Sequence, residues 1–119
     1  MKTRLVISVL ILAVLTFAAK DRNEGDAGDG FFYRNVSFEP PKYERNTPTM
    51  RGEMSNEGDR YYELVLFDVT LYDDEDNVIA VATFPISNFD KGTTRPFKKN
   101  VDVQADEIHS YKIDYSTGY

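Results

Sequence analysis

The chain has no cysteine and no tryptophan, and its single histidine is His109. Without cysteine there is no disulfide to staple the fold and no thiolate to serve as nucleophile or metal ligand. The missing Cys and Trp also exclude an antibody-style core, in which a disulfide packs on an indole. No G-x-S-x-G or equivalent motif accompanies His109, so nothing marks a hydrolytic triad. Positive charge is in deficit, with 14 Lys and Arg against 20 Asp and Glu in 119 residues. A surface that acidic repels nucleic acid and anionic lipid head groups. Helical periodicity is missing too: no segment sustains the 3.6-residue spacing of an amphipathic helix.

There is one long apolar run, and it is N-terminal. Lys2 and Arg4 precede an almost unbroken aliphatic stretch from Leu5 to Leu15, and Thr16, Ala18 and Ala19 close it with small residues. This is the anatomy of a secretory signal. The run is shorter than the roughly 20 residues of a spanning helix. Its end is not a clean A-x-A, so an uncleaved hydrophobic helical anchor is the alternative. Residues 1–19 are therefore read as signal peptide or membrane anchor. Lys20 to Gly30, KDRNEGDAGDG, has Ala27 as its only apolar residue and reads as a flexible acidic linker. Residues 31–119 form the folded domain. Its location is expected to be exported (periplasmic, extracellular or cell-surface), with membrane contact only through residues 5–19.

From Phe31 the apolar period is two. Phe32, Val36 and Phe38 share a parity, as do Met50, Gly52 and Met54. Val65, Phe67, Val69 and Leu71 are apolar, with Asp68 and Thr70 polar between them. That alternation marks half-buried antiparallel strands. Leu64 and Leu66 break it; they are expected to pack under a loop or follow a bulge. VIAVATF, residues 78–84, reads as a buried strand stopped by Pro85. Residues 97–103 alternate again, and Tyr111, Ile113 and Tyr115 share the last inward face. Six or seven short strands separated by turn signals predict an all-β fold: an antiparallel β-sandwich of immunoglobulin type with about seven strands. Eight Phe and eight Tyr supply a core without disulfides.

Several of these residues also form a motif. Gly52 and Asn56 mark an early strand and its closing turn. Leu71-Tyr72-Asp73 precedes an acidic turn and an apolar strand. Gly92, Thr93 and Phe97 follow in KGTTRPF. From Thr49 to Tyr115 the chain resembles the FxLYD domain. It departs from that pattern in carrying Val69 at the motif's Phe position and Asp76 where the turn usually has Gly. The resemblance implies an immunoglobulin-like module of exported or membrane-anchored prokaryotic proteins, with no enzymatic activity. In that reading Gly52, Asn56, Val69, Leu71, Tyr72, Asp73, Gly92 and Phe97 are structural.

The turn Asp73-Asp74-Glu75-Asp76-Asn77 allows two readings. Asp73, Glu75 and Asn77 alternate like the first ligands of a calcium loop. Such a loop also needs a Gly at its bend and a distal bidentate Glu, and neither follows. A hairpin turn built on Asx hydrogen bonds is the favoured reading, with Asp76 at positive φ. No cofactor is expected. Tyr61, Tyr62, Tyr72, Tyr111, Tyr115 and Tyr119 read mainly as core and rim packing, with an aromatic binding patch as the alternative. The functional expectation is a non-enzymatic envelope module that binds another envelope protein. A carbohydrate-binding or calcium-dependent adhesive module is the alternative.

Overall fold

The computed structural model describes residues 23–41 and 47–119. The signal or anchor segment and the first residues of the linker lie outside the described residues. Among those described, no helix is long and apolar enough to cross a membrane.

The fold is all-β. Among the described residues seven strands run β1 (Gly25–Gly28), β2 (Phe31–Glu39), β3 (Thr49–Asn56), β4 (Tyr62–Tyr72), β5 (Val78–Phe89), β6 (Thr94–Asn100) and β7 (Ser110–Gly118). They make two antiparallel sheets, ordered β1-β2-β3-β6 and β5-β4-β7. The inward faces share one core, so the arrangement is sandwich-like. Aromatic rings carry the contact from sheet to sheet. Phe31 of β2 meets Phe67 of β4 edge-on at 5.0 Å. Phe67 stacks on Phe84 of β5 at 5.3 Å, and Phe84 stacks on Phe97 of β6 at 4.4 Å. This row of rings does the cross-bracing that disulfides provide in many small domains.

The central strand β4 follows its sequence pattern: Val65, Phe67, Val69 and Leu71 are all fully buried. Met50, Gly52 and Met54 likewise face inward from β3. Elsewhere the structure departs from the sequence reading, each time for a local reason.

In β2 the inward aromatic is Phe31, fully buried, while Phe32 is 39% exposed. A bulge explains the change of parity. Between Arg34 and Ser37 the strand holds one residue more than β3 does opposite it. Asn35 sits there at φ 55° and donates its side-chain amide to Glu53 at 2.6 Å. Inward positions are odd before the bulge and even after it, which keeps Val36 and Phe38 inward.

The linker reading ends earlier than expected. Residues 25–28 form strand β1, paired to β2, and Ala27 is buried. Its φ-positive glycines and aspartate, at Gly28, Asp29 and Gly30, make the tight return into β2.

Strand β5 is buried on one face only, through Phe84, Ile86 and Phe89, and does not stop at Pro85. It runs 12 residues along the edge of its sheet, with Pro85 opposite Leu66. Proline is tolerated there because one side of an edge strand has no ladder to donate to. Pro96 occupies another edge strand, β6, for the same reason. Strand β6 also starts and ends earlier than the 97–103 reading; Val101 is buried just beyond it.

Leu64 and Leu66 lie on the outer face of the three-stranded sheet, half-buried, opposite Ser87 and Pro85. A register shift against β7 does fall at Leu66 and Phe67. It lies in β7, where Ser116 is the extra residue, and it does not turn the leucines inward.

Candidate functional site

The motif residues come together at two structural nodes and one turn. At the first node, Gly52 is buried in β3 opposite Phe97 of β6. A Cβ on Gly52 would stand 2.6 Å from the Phe97 ring and 3.0 Å from Val36 Cγ2. The glycine is therefore a space requirement: it lets the Phe97 ring lie across β3 and stack on Phe84. Gly52→Ala forces that ring to move within a packed core and is expected to cost about 1–3 kcal/mol. Equilibrium urea unfolding checks it; a loss below about 0.5 kcal/mol would mean the ring has room to yield.

At the second node, Asn56 is the one buried polar side chain among the described residues. Its amide donates to the Arg60 carbonyl at 3.0 Å and to the Phe89 carbonyl at 3.2 Å. Its side-chain oxygen accepts from the Gly58 N–H at 3.2 Å. Its backbone joins the same knot. The Asn56 N–H donates to the Thr93 carbonyl at 2.9 Å, and the Gly92 N–H donates to the Asn56 carbonyl at 2.7 Å. Gly92 takes φ 73°, which suits glycine. One residue thus ties the β3–β4 loop to the end of β5 through its side chain and to the β5–β6 loop through its backbone.

The acidic turn is built as an Asx turn. Asp73 Oδ1 accepts from the backbone N–H groups of Glu75 at 2.9 Å and Asn77 at 2.8 Å. Asp73 Oδ2 accepts from the Asn77 amide at 3.3 Å. These bonds, that from the Asn77 backbone first, hold the Asp73 carboxyl below its ordinary value. Of the three calcium candidates, Asp73 thus has both oxygens engaged with its own turn, and Asn77 supplies two of the donors. Among the described residues, no group of three or more His, Asp or Glu side chains is placed to hold a metal ion. Asp76 stands at φ 62°. Asp76→Gly relieves the strain of an L-residue there and is expected to stabilise by up to about 1 kcal/mol. Thermal unfolding checks it; a lower melting temperature than the parent would reject the turn geometry.

Beside this turn lies a cleft of about 330 Å³ lined by Asp73, Asp74, Ile79, Asp106, Glu107 and His109. The His109 N–H donates to the Tyr72 carbonyl at 2.8 Å, which fixes its backbone at the end of β4. The cleft brings the histidine to carboxylates, and no hydroxyl side chain among the described residues lines it. A second cleft, of about 350 Å³, lies beside β1 and includes Phe32, Tyr33, Arg34 and Glu57.

The tyrosines do not form a single patch. Tyr62 is in the core, near Phe31 at 5.3 Å, and carries Arg60 over its ring at 4.4 Å. Tyr115 stacks on Phe31 at 5.7 Å. Tyr72 and Tyr111 are half-buried, while Tyr61 and Tyr119 are exposed. Burial raises the pKa of Tyr33, Tyr62 and Tyr111, opposed at Tyr62 by Arg60, so all three keep their protons at neutral pH.

The surface least expected from the sequence is the edge of β5. Its residues 78–89, VIAVATFPISNF, contain no charged side chain. Val78 is 57% exposed and Val81 is 64% exposed. On the outer face beside them stand Leu66, opposite Pro85, and Thr70, opposite Val81. Asp68 lies opposite Thr83, whose Oγ1 donates to it at 2.8 Å.

No protein-family model, curated protein or solved structure matches the chain.

Proposed function

We propose that this chain is a non-enzymatic, exported or membrane-tethered cell-envelope module that binds protein through the edge of β5. The uncharged, exposed edge carries this reading. An open strand offers unpaired backbone N–H and C=O groups, and a partner strand can complete the sheet. Soluble proteins blunt such edges with charge or proline, and residues 78–84 have neither.

An immunoglobulin-like, FxLYD-type sandwich is the fold assignment that goes with this function. With β1 set aside, β2-β3-β6 corresponds to strands A-B-E, and β5-β4-β7 to C′-C-F. The contacts of Gly52 with Phe97 and of Asn56 with Gly92 support the motif, since each pair joins its early and late parts.

The test is capture from native envelope extract by the full chain, with and without chelator, against Val81→Lys and a control, Thr117→Lys. Retention of a discrete protein by the parent and the control, and its loss with Val81→Lys, is the expected result. Equal retention by all three, or hydrolysis of an ester, peptide or glycan by the protein, would overturn the reading. Loss with chelator alone would return Asp73, Glu75 and Asn77 to a calcium role.

A further inference from the structure

We infer that the strand completing β5 is the β5 strand of a second copy of this chain, paired antiparallel about a two-fold axis at Val81. This rests on the reading of β5 as a binding edge and names its occupant.

The four sheet edges are not alike. Strand β1 has four residues and includes Asp26. Strand β6 carries Arg95, Pro96, Lys98 and Lys99, and β7 carries Lys112 and Asp114. Each is short, interrupted or charged, as edges protected against pairing are. Strand β5 is the longest of the four and has no charge.

Charge also selects the partner. The chain is net negative, at −6, so two copies repel wherever carboxylates meet. Pairing β5 on β5 brings together the one edge where neither copy contributes charge. The flanks are complementary. An antiparallel two-fold at Val81 sets Ala80 opposite Ala82 and, because Ile79 is the extra residue of a bulge against β4, Val78 opposite Thr83 of the second copy. It carries the acidic turn at Asp74–Asp76 to lie alongside Pro85, Ile86 and Ser87 of that copy. The guanidinium of Arg95 is at that place, donating to the Ser87 and Asn88 carbonyls at 3.0 and 3.1 Å. Each copy thus presents an acidic turn at one end of the edge and a cation at the other, in the order a two-fold requires.

The backbone agrees. A proline in an edge strand turns its nitrogen to the open side. Residues two apart point the same way, so Thr83 and Val81 also present their N–H and C=O groups there. Val81 would then exchange two hydrogen bonds with its own copy, and the outcome is a six-stranded sheet across both chains. The side chain of Val81 meets its twin on the outer face, and Pro85 ends the pairing.

Because the chain has no cysteine, a single introduced thiol reports the register. In a hydrogen-bonded antiparallel pair the two Val81 Cα atoms stand ~5.5 Å apart, within the ~4.4–6.8 Å reach of a disulfide. The two Thr83 positions are separated by four residue rises, ~13 Å, beyond that reach. Full-length Val81→Cys and Thr83→Cys are oxidised at equal concentration, and the covalent dimer is followed on non-reducing gels. Both sites are exposed on the strand's outer face, and thermal melts confirm that both variants fold. The expected result is a covalent dimer forming at least roughly ten-fold faster for Val81→Cys, the mark of thiols held together rather than colliding. Equal rates, or no cross-link in either, overturn the inference. Association through the N-terminal apolar segment would raise both rates alike and so counts against it. If the cross-link fails but Val81→Lys still abolishes capture of another envelope protein, the edge is a binding site and only the second-copy assignment falls.

Discussion

Phe31→Ala is expected to destabilise the protein by about 3–5 kcal/mol, and Phe32→Ala by less than about 0.5 kcal/mol. The neighbouring phenylalanines differ because of one residue, Asn35. Its bulge fixes the inward parity of β2 on Phe31. Phe31 is then enclosed by four rings: Phe67 at 5.0 Å, Tyr62 at 5.3 Å, Phe89 at 5.5 Å and Tyr115 at 5.7 Å. Truncating it removes apolar area and leaves a cavity that four large side chains, each held by other contacts, can collapse into only in part. The ring of Phe32 stands on the other side of the sheet, beside the β1 cleft. Equilibrium denaturation of the two variants under identical conditions checks the pair. A larger loss for Phe32→Ala would place the bulge elsewhere and reverse the face that β2 turns to the core.

Asn56→Ala is expected to cost about 2–3 kcal/mol. The substitution removes little volume, and packing is not what it tests. It leaves the Phe89 carbonyl, buried, without its side-chain donor, and takes a second donor from Arg60 and an acceptor from Gly58. A buried polar group that loses its partner keeps its desolvation penalty, and that asymmetry sets the magnitude. Asn56→Asp offers no rescue at neutral pH, because an oxygen then faces two carbonyl oxygens where an amide nitrogen stood. Denaturant unfolding gives the energy. Amide hydrogen exchange at Gly58 and Gly92 gives the location, since both loops lose their shared anchor. A loss near zero, with exchange unchanged, would mean that the loops are held by their backbones alone.

Both residues show what reading along the chain can and cannot reach. Asn56 was visible as a motif position, but nothing in the order Gly52, Asn56, Gly92 says that the first two residues meet the later loop and strand. Phe31 was hidden by a plausible rival. Parity alone favours Phe32, which aligns with Val36 and Phe38, and only the positive φ at Asn35 shifts the count. An Asn in a strand is a weak advance signal for such a bulge. The edge of β5 was misread for a related reason. An uncharged apolar run looks the same whether the strand is buried on both faces or lies at an open edge; Pro85 is the one residue in it that points to an edge.

The class of structure follows from the order of residues alone. Period-two apolar patterning across residues 31–119 and the missing helical spacing require strands, and β4 and β3 then bury the residues that alternation selects. Asx chemistry in residues 73–77 likewise determined the turn and the positive φ of Asp76, since both depend on contacts within a few residues. The tertiary structure alone decided which strands lie at the edges, which parity β2 presents, and that residues 25–28 join the sheet. Those outcomes depend on pairings between residues far apart in the chain, such as Gly52 with Phe97 or Pro85 with Leu66. A local pattern records how a strand alternates. Which neighbour it finds, and whether one side stays open, is settled only when all the strands compete for the same core.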